Sequence, residues 1–558
     1  MSKRKHFAAL ALGGVGRIGM NMMVYECDGK YIVVDAGVSF GDETTPGVDV
    51  IIPDTRFLRE HAKDIVGVFI THAHEDHIGG IGYMWDDFGG APVFATRFSR
   101  LSMENKLREL GIKPAKGEVN TAKPGETIEV GPFKVEYVGV AHSIPEAFGL
   151  AITTHYGTVV HTGDYKFDEH APFGQQTDEK RWKAIGKQGV LAVLGDSTGI
   201  FAMKPSGSEK AVFEHLDKLI GESKQRVFFA AFASHVGRAL NVAEIAMKHG
   251  RKVCFLGRTV NKMLGYAKEL GYTPAALKGY IVEAEEASKL PPHKVLVFAS
   301  GTQGEPAASL TRLSQGQEVR GLRIDEGDTV ILSSRMIPGN ERAILNTING
   351  LYVRGAEVVT ELTDRETHVS GHASRPEIQH MYSLLKPTYV VPVHGEPGHL
   401  TQHARCAEEW GYKPLQLTPG HKLVLAPETP FTQPHAYAHG YNYIDGLNIL
   451  DNDALPVKER RKLSYDGVVS AALAIRATNG EWLGELSLST KGLLDERLQK
   501  DILDRAAKHA MKALDAVFPD ALIDEPQRAR EVIGQSLRKS FKQERGKSPT
   551  VLVQFIEV

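Results

Sequence analysis

The densest concentration of chemistry-bearing side chains is Thr71-His72-Ala73-His74-Glu75-Asp76-His77, directly after the β-rich run Val66 to Thr71. Two apart at a strand end, His72 and His74 point the same way, while Asp76 and His77 in the ensuing turn can swing towards a neighbouring point. One short loop therefore offers ligands for two ions. Imidazole and carboxylate without thiolate suit Zn²⁺ or Mn²⁺ in an open, catalytic site better than a closed structural one. Further ligands occur at equivalent places: His142 follows the run Phe133 to Val140, Asp164 follows Thr158 to Thr162, and His394 follows Thr388 to Val393. A carboxylate such as Asp164 can bridge two cations. Any single one of the 23 histidines is best read as a surface residue, but the clustered spacing is not.

These ligands need strands to carry them. The first 165 or so residues alternate short β-rich runs with Gly, Pro and Asp turns, among them Tyr31 to Val34. From about Ser206, helices alternate with strands: helices near Glu209 to Ile220, Val236 to Lys248 and Val260 to Leu270, and strands Arg226 to Ala231, Lys252 to Leu256, Val295 to Ala299 and Thr329 to Ser333. That alternation predicts a parallel α/β sheet. After Glu361 the β-rich style returns, so the α/β segment reads as an insertion. A final module offers two strands across an Asn479-Gly480 turn, a helix with Leu494, Leu498, Leu503, Ala507 and Leu514 on one stripe, a helix opened by Pro526, and a last strand Val551 to Ile556. The expected domains are 1–205 with 362–426, an insertion 206–361, a linker 427–449 and a C-terminal α+β module 450–558.

The 558 residues, at roughly 150 per domain, agree with three or four domains. Apolar residues make up 42% and charged residues 24%, with 66 basic against 68 acidic side chains. This excludes a disordered chain and gives no bulk field for polyanions. No apolar run is long enough to cross a bilayer. Cys27, Cys254 and Cys406 are too few for a disulfide framework, which fits a reducing, cytoplasmic setting without a membrane. The start, Lys3-Arg4-Lys5 then Phe7 to Leu12, has too short an apolar stretch for a signal peptide and reads as a first strand. Gly14-Val15-Gly16-Arg17-Ile18-Gly19, with Asp35 beyond, imitates a dinucleotide fingerprint. However, Met20 to Cys27 and Tyr31 to Val34 form a hairpin through Asp28-Gly29, not the helix that a pyrophosphate site requires.

The ligand cluster with His142 and Asp164 resembles the metallo-β-lactamase fold, and the inserted α/β segment narrows the likeness to the β-CASP nucleases. Within these the chain resembles the ribonuclease J family, through Leu12-Gly13-Gly14-Val15-Gly16, Gly195-Asp196-Ser197-Thr198, Gly301-Thr302-Gln303-Gly304-Glu305-Pro306, Ile337-Pro338-Gly339-Asn340-Glu341 and His368-Val369-Ser370-Gly371-His372-Ala373. The resemblance implies an αββα metallo-β-lactamase sandwich interrupted by a β-CASP α/β domain and followed by a small α+β oligomerisation domain. It implies one Zn²⁺ on His72, His74 and His142, a second on Asp76, His77 and His394, and Asp164 between them, with Mn²⁺ or Mg²⁺ as alternative activating ions. It also implies a 5′→3′ exoribonuclease with endonuclease activity in RNA processing and decay, a homodimer or homotetramer, and a place in an RNA-degradation complex.

Two adjacent cations would acidify a shared water for attack on a phosphodiester, with Asp76 among the catalytic residues. If extended, His368, Ser370 and His372 face one side as donors for the scissile phosphate. By resemblance, His372 paired with Asp196 protonates the leaving 3′ oxygen. The strands of the insertion end in Ala233-Ser234-His235, Gly257-Arg258, Ser300-Gly301-Thr302 and Ser333-Ser334-Arg335, and such C-terminal sheet edges bind phosphates. A pocket for the 5′-monophosphate of single-stranded RNA is expected there, on Ser234, His235, Arg258 and Ser334, with Arg238 and Arg335 also favoured. The family commonly has Asn where this chain has Gly199 and His235. Basic stretches at Lys458, Arg460, Arg461 and Lys462 and at Arg538, Lys539, Lys542, Arg545 and Lys547 fit either an RNA guide or a solvated helix face. The rivals are a DNA 5′ nuclease, a small-molecule hydrolase and a silent RNA-binding scaffold.

Overall fold

A computed structural model describes residues 5–42, 44–337, 339–495 and 499–558; Lys3, Arg4, Pro338 and Leu498, singled out above, lie outside them. By contact density the chain divides into two units, Met1–Ser39 with Ile52–Gly440, and Phe40–Ile51 with Tyr441–Val558.

The first unit holds two large sheets. One runs in the order Phe431–Gln433, Lys422–Ala426, Phe7–Gly13, Met22–Cys27, Lys30–Val34, Ile65–Phe69, Val93–Ala95 and Val119–Thr121. The other runs Lys413–Pro414, Tyr389–Val393, Ala192–Asp196, Gly157–His161, Phe148–Thr154, Phe133–Gly139 and Thr127–Val130. Phe7–Gly13 is buried at every position and paired on both sides, which is why it reads as a continuous apolar run and not as an alternation. A shared core of Phe7, Tyr25, Ile32, Phe69, Tyr137, Leu150, Val159 and Val391 joins residues of both sheets. The glycine-rich segment opens no helix. Met22–Cys27 and Lys30–Val34 pair antiparallel through Asp28 and Gly29, both at positive φ (52° and 80°), as a two-residue hairpin turn requires.

The inserted segment is an all-parallel sheet in the order Lys252–Leu256, Val295–Ala299, Val227–Ala230, Thr329–Leu332, Glu357–Thr360. Helices Glu209–Glu222, Val236–Lys248 and Arg258–Glu269 fall where the periodicity places them. After it, the chain resumes the large sheet at Tyr389–Val393, beside Ala192–Asp196.

In the second unit, Val468–Ile475 pairs antiparallel with Trp482–Lys491 and parallel with Thr550–Glu557, and helices Lys500–Val517 and Pro526–Arg545 share their core. The first of these helices starts later than its sequence stripe suggests. Leu494 precedes it, and Leu503, Ala506, Ala510 and Leu514 form the buried face. The same unit takes in residues 40–51, which lie within the expected first domain, with Asp49 N donating to Ile444 O at 3.0 Å. Among the described residues no helix is long and apolar enough to cross a membrane.

Candidate metal centre

The loop carrying His72 to His77 is held from below by Asp35, the residue after strand Lys30–Val34. Its carboxylate accepts from Thr71 N at 2.8 Å, from Thr71 Oγ1 at 2.8 Å and from His77 Nδ1 at 2.7 Å. Asp35 adopts φ 66°, a left-handed conformation that Asp tolerates better than most residues. Above it, Asn21 N donates to Asp76 O at 2.8 Å and Ala36 N to His77 O at 2.7 Å. The approach is so close that a Cβ at Gly37 would collide with the Asp76 carbonyl oxygen. The glycine there is a packing requirement.

Outer hydrogen bonds orient the imidazoles. The Thr71 hydroxyl donates to Asp35, so at 3.0 Å it can only accept from His72 Nδ1–H. His142 Nδ1–H donates to Gly371 O at 2.7 Å, and His77 Nδ1–H donates to Asp35. In each of the three rings, when neutral, the Nε2 lone pair is thereby aimed inward, the arrangement metal-binding histidines use. Inside, His74 Nδ1 lies 3.1 Å from His72 Nε2 and 3.0 Å from His142 Nε2, and both Nε2 atoms lie 3.7 Å from Asp164 Oδ2. On the other side of Asp164, His77 Nε2 is 3.2 Å from Oδ2 and 3.5 Å from Asp76 Oδ2, and His394 Nε2 is 3.3 Å from Asp76 Oδ2.

Two ligand sets thus share one carboxylate: His72, His74, His142 and Asp164, and Asp76, His77, Asp164 and His394. Ligands about 2.0–2.1 Å from a tetrahedral ion stand about 3.3 Å apart, the middle of the spacings seen here. Among the described residues the buried His394 Nε2 makes no well-aligned hydrogen bond, only the 3.3 Å approach to Asp76, as expected of a ligand atom. Burial pushes His72 and His142 well below the ordinary imidazole range and His74 down to about 4, so these rings are neutral, the state that binds metal. Burial disfavours charge on His77 and His394 too, but Asp164 and its neighbouring carboxylates outweigh it and raise both. A centre that draws protons so strongly is one whose excess negative charge a divalent cation would neutralise. The residues fit the zinc-type centre that their chemistry implies.

Beside this centre, His372 Nδ1 lies 2.8 Å from Asp196 Oδ2, and Asp196 Oδ1 accepts from Thr198 N at 2.9 Å. Burial opposes protonation of His372, but Asp196 and Asp164 raise it above its ordinary value. The segment from His368 to His372 is an irregular loop between Arg365–Thr367 and the helix Arg375–Leu385, not the alternating row expected. Ser370 Oγ accepts from His372 N at 3.1 Å, and Gly371 O serves His142. His368 Nδ1 accepts from the Arg238 guanidinium at 2.8 Å, so its Nε2 carries the proton.

The residues expected to form one 5′-phosphate pocket are dispersed. Arg258 is exposed in a groove with Asn261, Ser300, Ser309 and Arg320, whereas Ser334 lines a separate cavity with Thr302, Met336 and Thr360. Their strands are three places apart in the sheet, about 14 Å at 4.8 Å per strand. Ser234 is half-buried in the turn before the helix Val236–Lys248. His235 is buried, with Nε2 3.2 Å from Glu209 Oε1. Arg238 is 1% exposed and fully engaged by Glu209, Ser333 and His368, so it is a structural cation and not a free phosphate ligand. Arg335 is exposed and lies 3.4 Å from Glu361. Asp35 and Asn21 are parts of the site that the sequence does not mark, and Thr71, which opens the ligand stretch, acts through its hydroxyl and backbone N–H and not as a ligand. Asp35 stood out only within the false nucleotide motif, although an acid just past a β-rich run is the same signal that marks Asp164.

Four family models match successive parts of the chain: beta-lactamase superfamily domain over residues 30–194, ribonuclease J beta-CASP domain over 224–351, Zn-dependent metallo-hydrolase RNA specificity domain over 357–415, and ribonuclease J C-terminal domain over 455–558. The chain is 38% identical to ribonuclease J of Sinorhizobium meliloti over all of its own length and 98% of the relative's. It is 34% identical to ribonuclease J of Thermus thermophilus, covering 99% of this chain and 95% of that one. A solved structure of a protein of unknown function from Enterococcus faecalis shares the fold, with TM-score 0.52 at 18% identity over 75% of this chain and all of that one. With a metallo-β-lactamase domain, an inserted β-CASP domain and the C-terminal module all matched, the chain belongs to the ribonuclease J family of metal-dependent RNA nucleases.

Proposed function

We propose that the chain is a 5′→3′ exoribonuclease with endonuclease activity that prefers single-stranded RNA with a 5′-monophosphate, and that it works with two Zn²⁺ ions, Mn²⁺ or Mg²⁺ being the alternatives. The observation that carries this reading is the pair of ligand sets hinged on Asp164, with Asp196 and His372 alongside. His72, His74 and His142 would hold one ion and Asp76, His77 and His394 the other. Bound there, such ions supply acidified water and Lewis acidity towards a phosphoryl oxygen.

The chain's own groups do the rest. His368, fixed by Arg238 as an Nε2–H donor, and Ser370 present hydrogen bonds to the scissile phosphate. His372, with Nδ1 against Asp196, presents Nε2 to the leaving 3′ oxygen as the proton donor. Arg258 and Ser334 line separate cavities, so only one of them would hold the 5′-phosphate itself. Replacing that one should weaken the preference for 5′-monophosphate over 5′-hydroxyl RNA, and replacing the other should leave it unchanged.

The test is digestion of a 5′-monophosphorylated, 3′-labelled RNA beside matched DNA, with and without chelator. Release of mononucleotides from the RNA's 5′ end, stopped by chelation and restored by Zn²⁺ or Mn²⁺, is the expected result; equal cutting of DNA would overturn the RNA specificity. Self-association through the second unit is also proposed. Its last strand exposes Leu552 and Ile556, and arginine at both should convert an oligomer to a monomer in light scattering.

A further inference from the structure

The turn that follows Asp196 carries an exposed aromatic ring that the cleavage chemistry does not use. Phe201 is 54% exposed and its neighbour Met203 is 67% exposed. The turn beneath them is tightly tied. Ile200 is fully buried, Ile200 N donates to Ser197 O at 3.1 Å, and Ala202 N donates to Gly199 O at 2.9 Å. Arg375 holds it from outside, its Nε on Ile200 O and its backbone N–H on Ala202 O, both at 3.0 Å. A Cβ at Gly199 would collide with the Ala373 carbonyl oxygen, so the turn sits directly on the loop that presents His372. Thr198 Oγ1 reaches His394 O at 3.2 Å on the other side.

Phe201 is therefore a half-exposed ring on the turn that leaves Asp196. His399 packs against it edge-on, with ring centroids 5.1 Å apart and planes at 66°. His399 sits in the helix Pro397–Glu409, which starts just after His394, and its buried Nδ1 has no hydrogen-bond partner among the described residues. The hydrogen bond from Ile200 N to Ser197 O closes a turn whose ends lie within about 7 Å, so the Asp196 and Phe201 backbones are at most about 15 Å apart.

We propose that Phe201, braced by His399 and flanked by Met203, is a stacking platform for a nucleobase of the RNA strand close to the scissile bond. An exposed aromatic ring braced beside a phosphodiester-cleaving centre is a means by which proteins grip unpaired bases, and the grip is tolerant of sequence because every base has a π face. A protein partner is a poorer match, since one ring and one thioether fall far short of the ~800 Å² per side that a stable interface buries. His399 and Arg375 both lie within the stretch matched by the RNA specificity domain. The inference rests on the ribonuclease reading and adds a binding subsite to it.

The experiment measures KM and kcat of the full-length holoenzyme on single-stranded RNA for wild type, Phe201→Ala, Phe201→Leu and Phe201→Trp, together with RNAs carrying one abasic nucleotide at successive positions around the cut. Removing the ring should raise KM about tenfold or more, within the roughly 5- to 150-fold that one base stack is worth. Leu should fare as badly as Ala, and Trp should rescue. At one abasic position the wild type should weaken by a similar factor and Phe201→Ala should show no further loss. Zinc content and melting temperature should match wild type, which keeps a failed centre distinguishable from a lost subsite. A Phe201→Ala enzyme with unchanged KM, or one that suffers every abasic penalty in full, would overturn the proposal.

Discussion

The sharpest test of the metal centre is a substitution outside it. Asp35 accepts from the backbone N–H of Thr71, which cannot turn, from the Thr71 hydroxyl, and from His77 Nδ1–H. Asp35→Asn keeps the size of the side chain and suits the positive φ that Ala would resist. It replaces one acceptor oxygen by an NH₂ group. If that group faced Thr71, it would oppose a fixed donor at 2.8 Å. If it faces His77, the conflict is relieved when the ring exchanges tautomer and accepts at Nδ1. The proton then sits on His77 Nε2, the atom 3.2 Å from Asp164 and 3.5 Å from Asp76, and that nitrogen can no longer bind a cation. Loss of such an outer partner costs about ten- to a hundredfold in metal affinity, about 1.4–2.7 kcal/mol. In the apoprotein the substitution also removes one of the carboxylates that raise His77, so it should melt below wild type while circular dichroism shows the fold retained. Competition with a zinc-binding dye should give one site, on His72, His74 and His142, of undiminished affinity and a second that is weakened, with activity falling in step. Wild-type affinity at both sites would refute the argument that Asp35 sets the His77 tautomer.

Other outcomes follow from named contacts. Asp76→Ala with His77→Ala should abolish cleavage while the fold survives by circular dichroism; retained activity would point to a contaminating nuclease. Arg238→Met strands Glu209, which burial opposes but Arg238 and His235 hold well below its ordinary value, and should cost about 3–5 kcal/mol in urea denaturation, most of it recovered by adding Glu209→Leu. A single-variant cost under about 1 kcal/mol would show that the pair is not a buried charge pair in solution. Glu26, disfavoured as an anion by burial yet held at about 2 by His6 and Lys422, has a lowered folded-state pKa. Its stabilising effect, up to about 3 kcal/mol, is complete above the unfolded pKa of about 4.3 and is lost as pH falls towards 2. The stability gap between wild type and Glu26→Gln should close over that window; a gap independent of pH would contradict it. Truncation after Ala426 should do more than remove the proposed self-association, because it removes Ile444 from Asp49 and strips residues 40–51 of their partners; limited proteolysis should then cut in that segment.

The proposed metal ligands were legible because most belong to a local pattern, an apolar run that must be a buried strand followed within three residues by a histidine or aspartate, while His74, Asp76 and His77 crowd the loop that His72 opens. Strand Phe133–Gly139 with His142, Gly157–His161 with Asp164 and Tyr389–Val393 with His394 are readable one at a time, and the helices of the insertion follow from period alone. The likeness in the spaced motifs supplied what no single pattern could, that these distant ends meet. Groups whose role is set by what packs on them were not legible. Nothing local tells Arg238 from Arg258, yet one is sealed among Glu209, Ser333 and His368 and the other faces solvent. His368, Ser370 and His372 have strand spacing, but Gly371 O and Ser370 Oγ are claimed by His142 and by the His372 backbone, which leaves the loop irregular. Residues 40–51 look like any turn-rich link in the first domain until Tyr441–Asp445, four hundred residues later, is found with them. Sequence fixes which atoms can bind and on which elements they ride, because valence and backbone periodicity are local. Tertiary structure decides which lone pairs are free and which charges are buried, because the hydrogen bonds and desolvation that settle them come from residues far away in the chain.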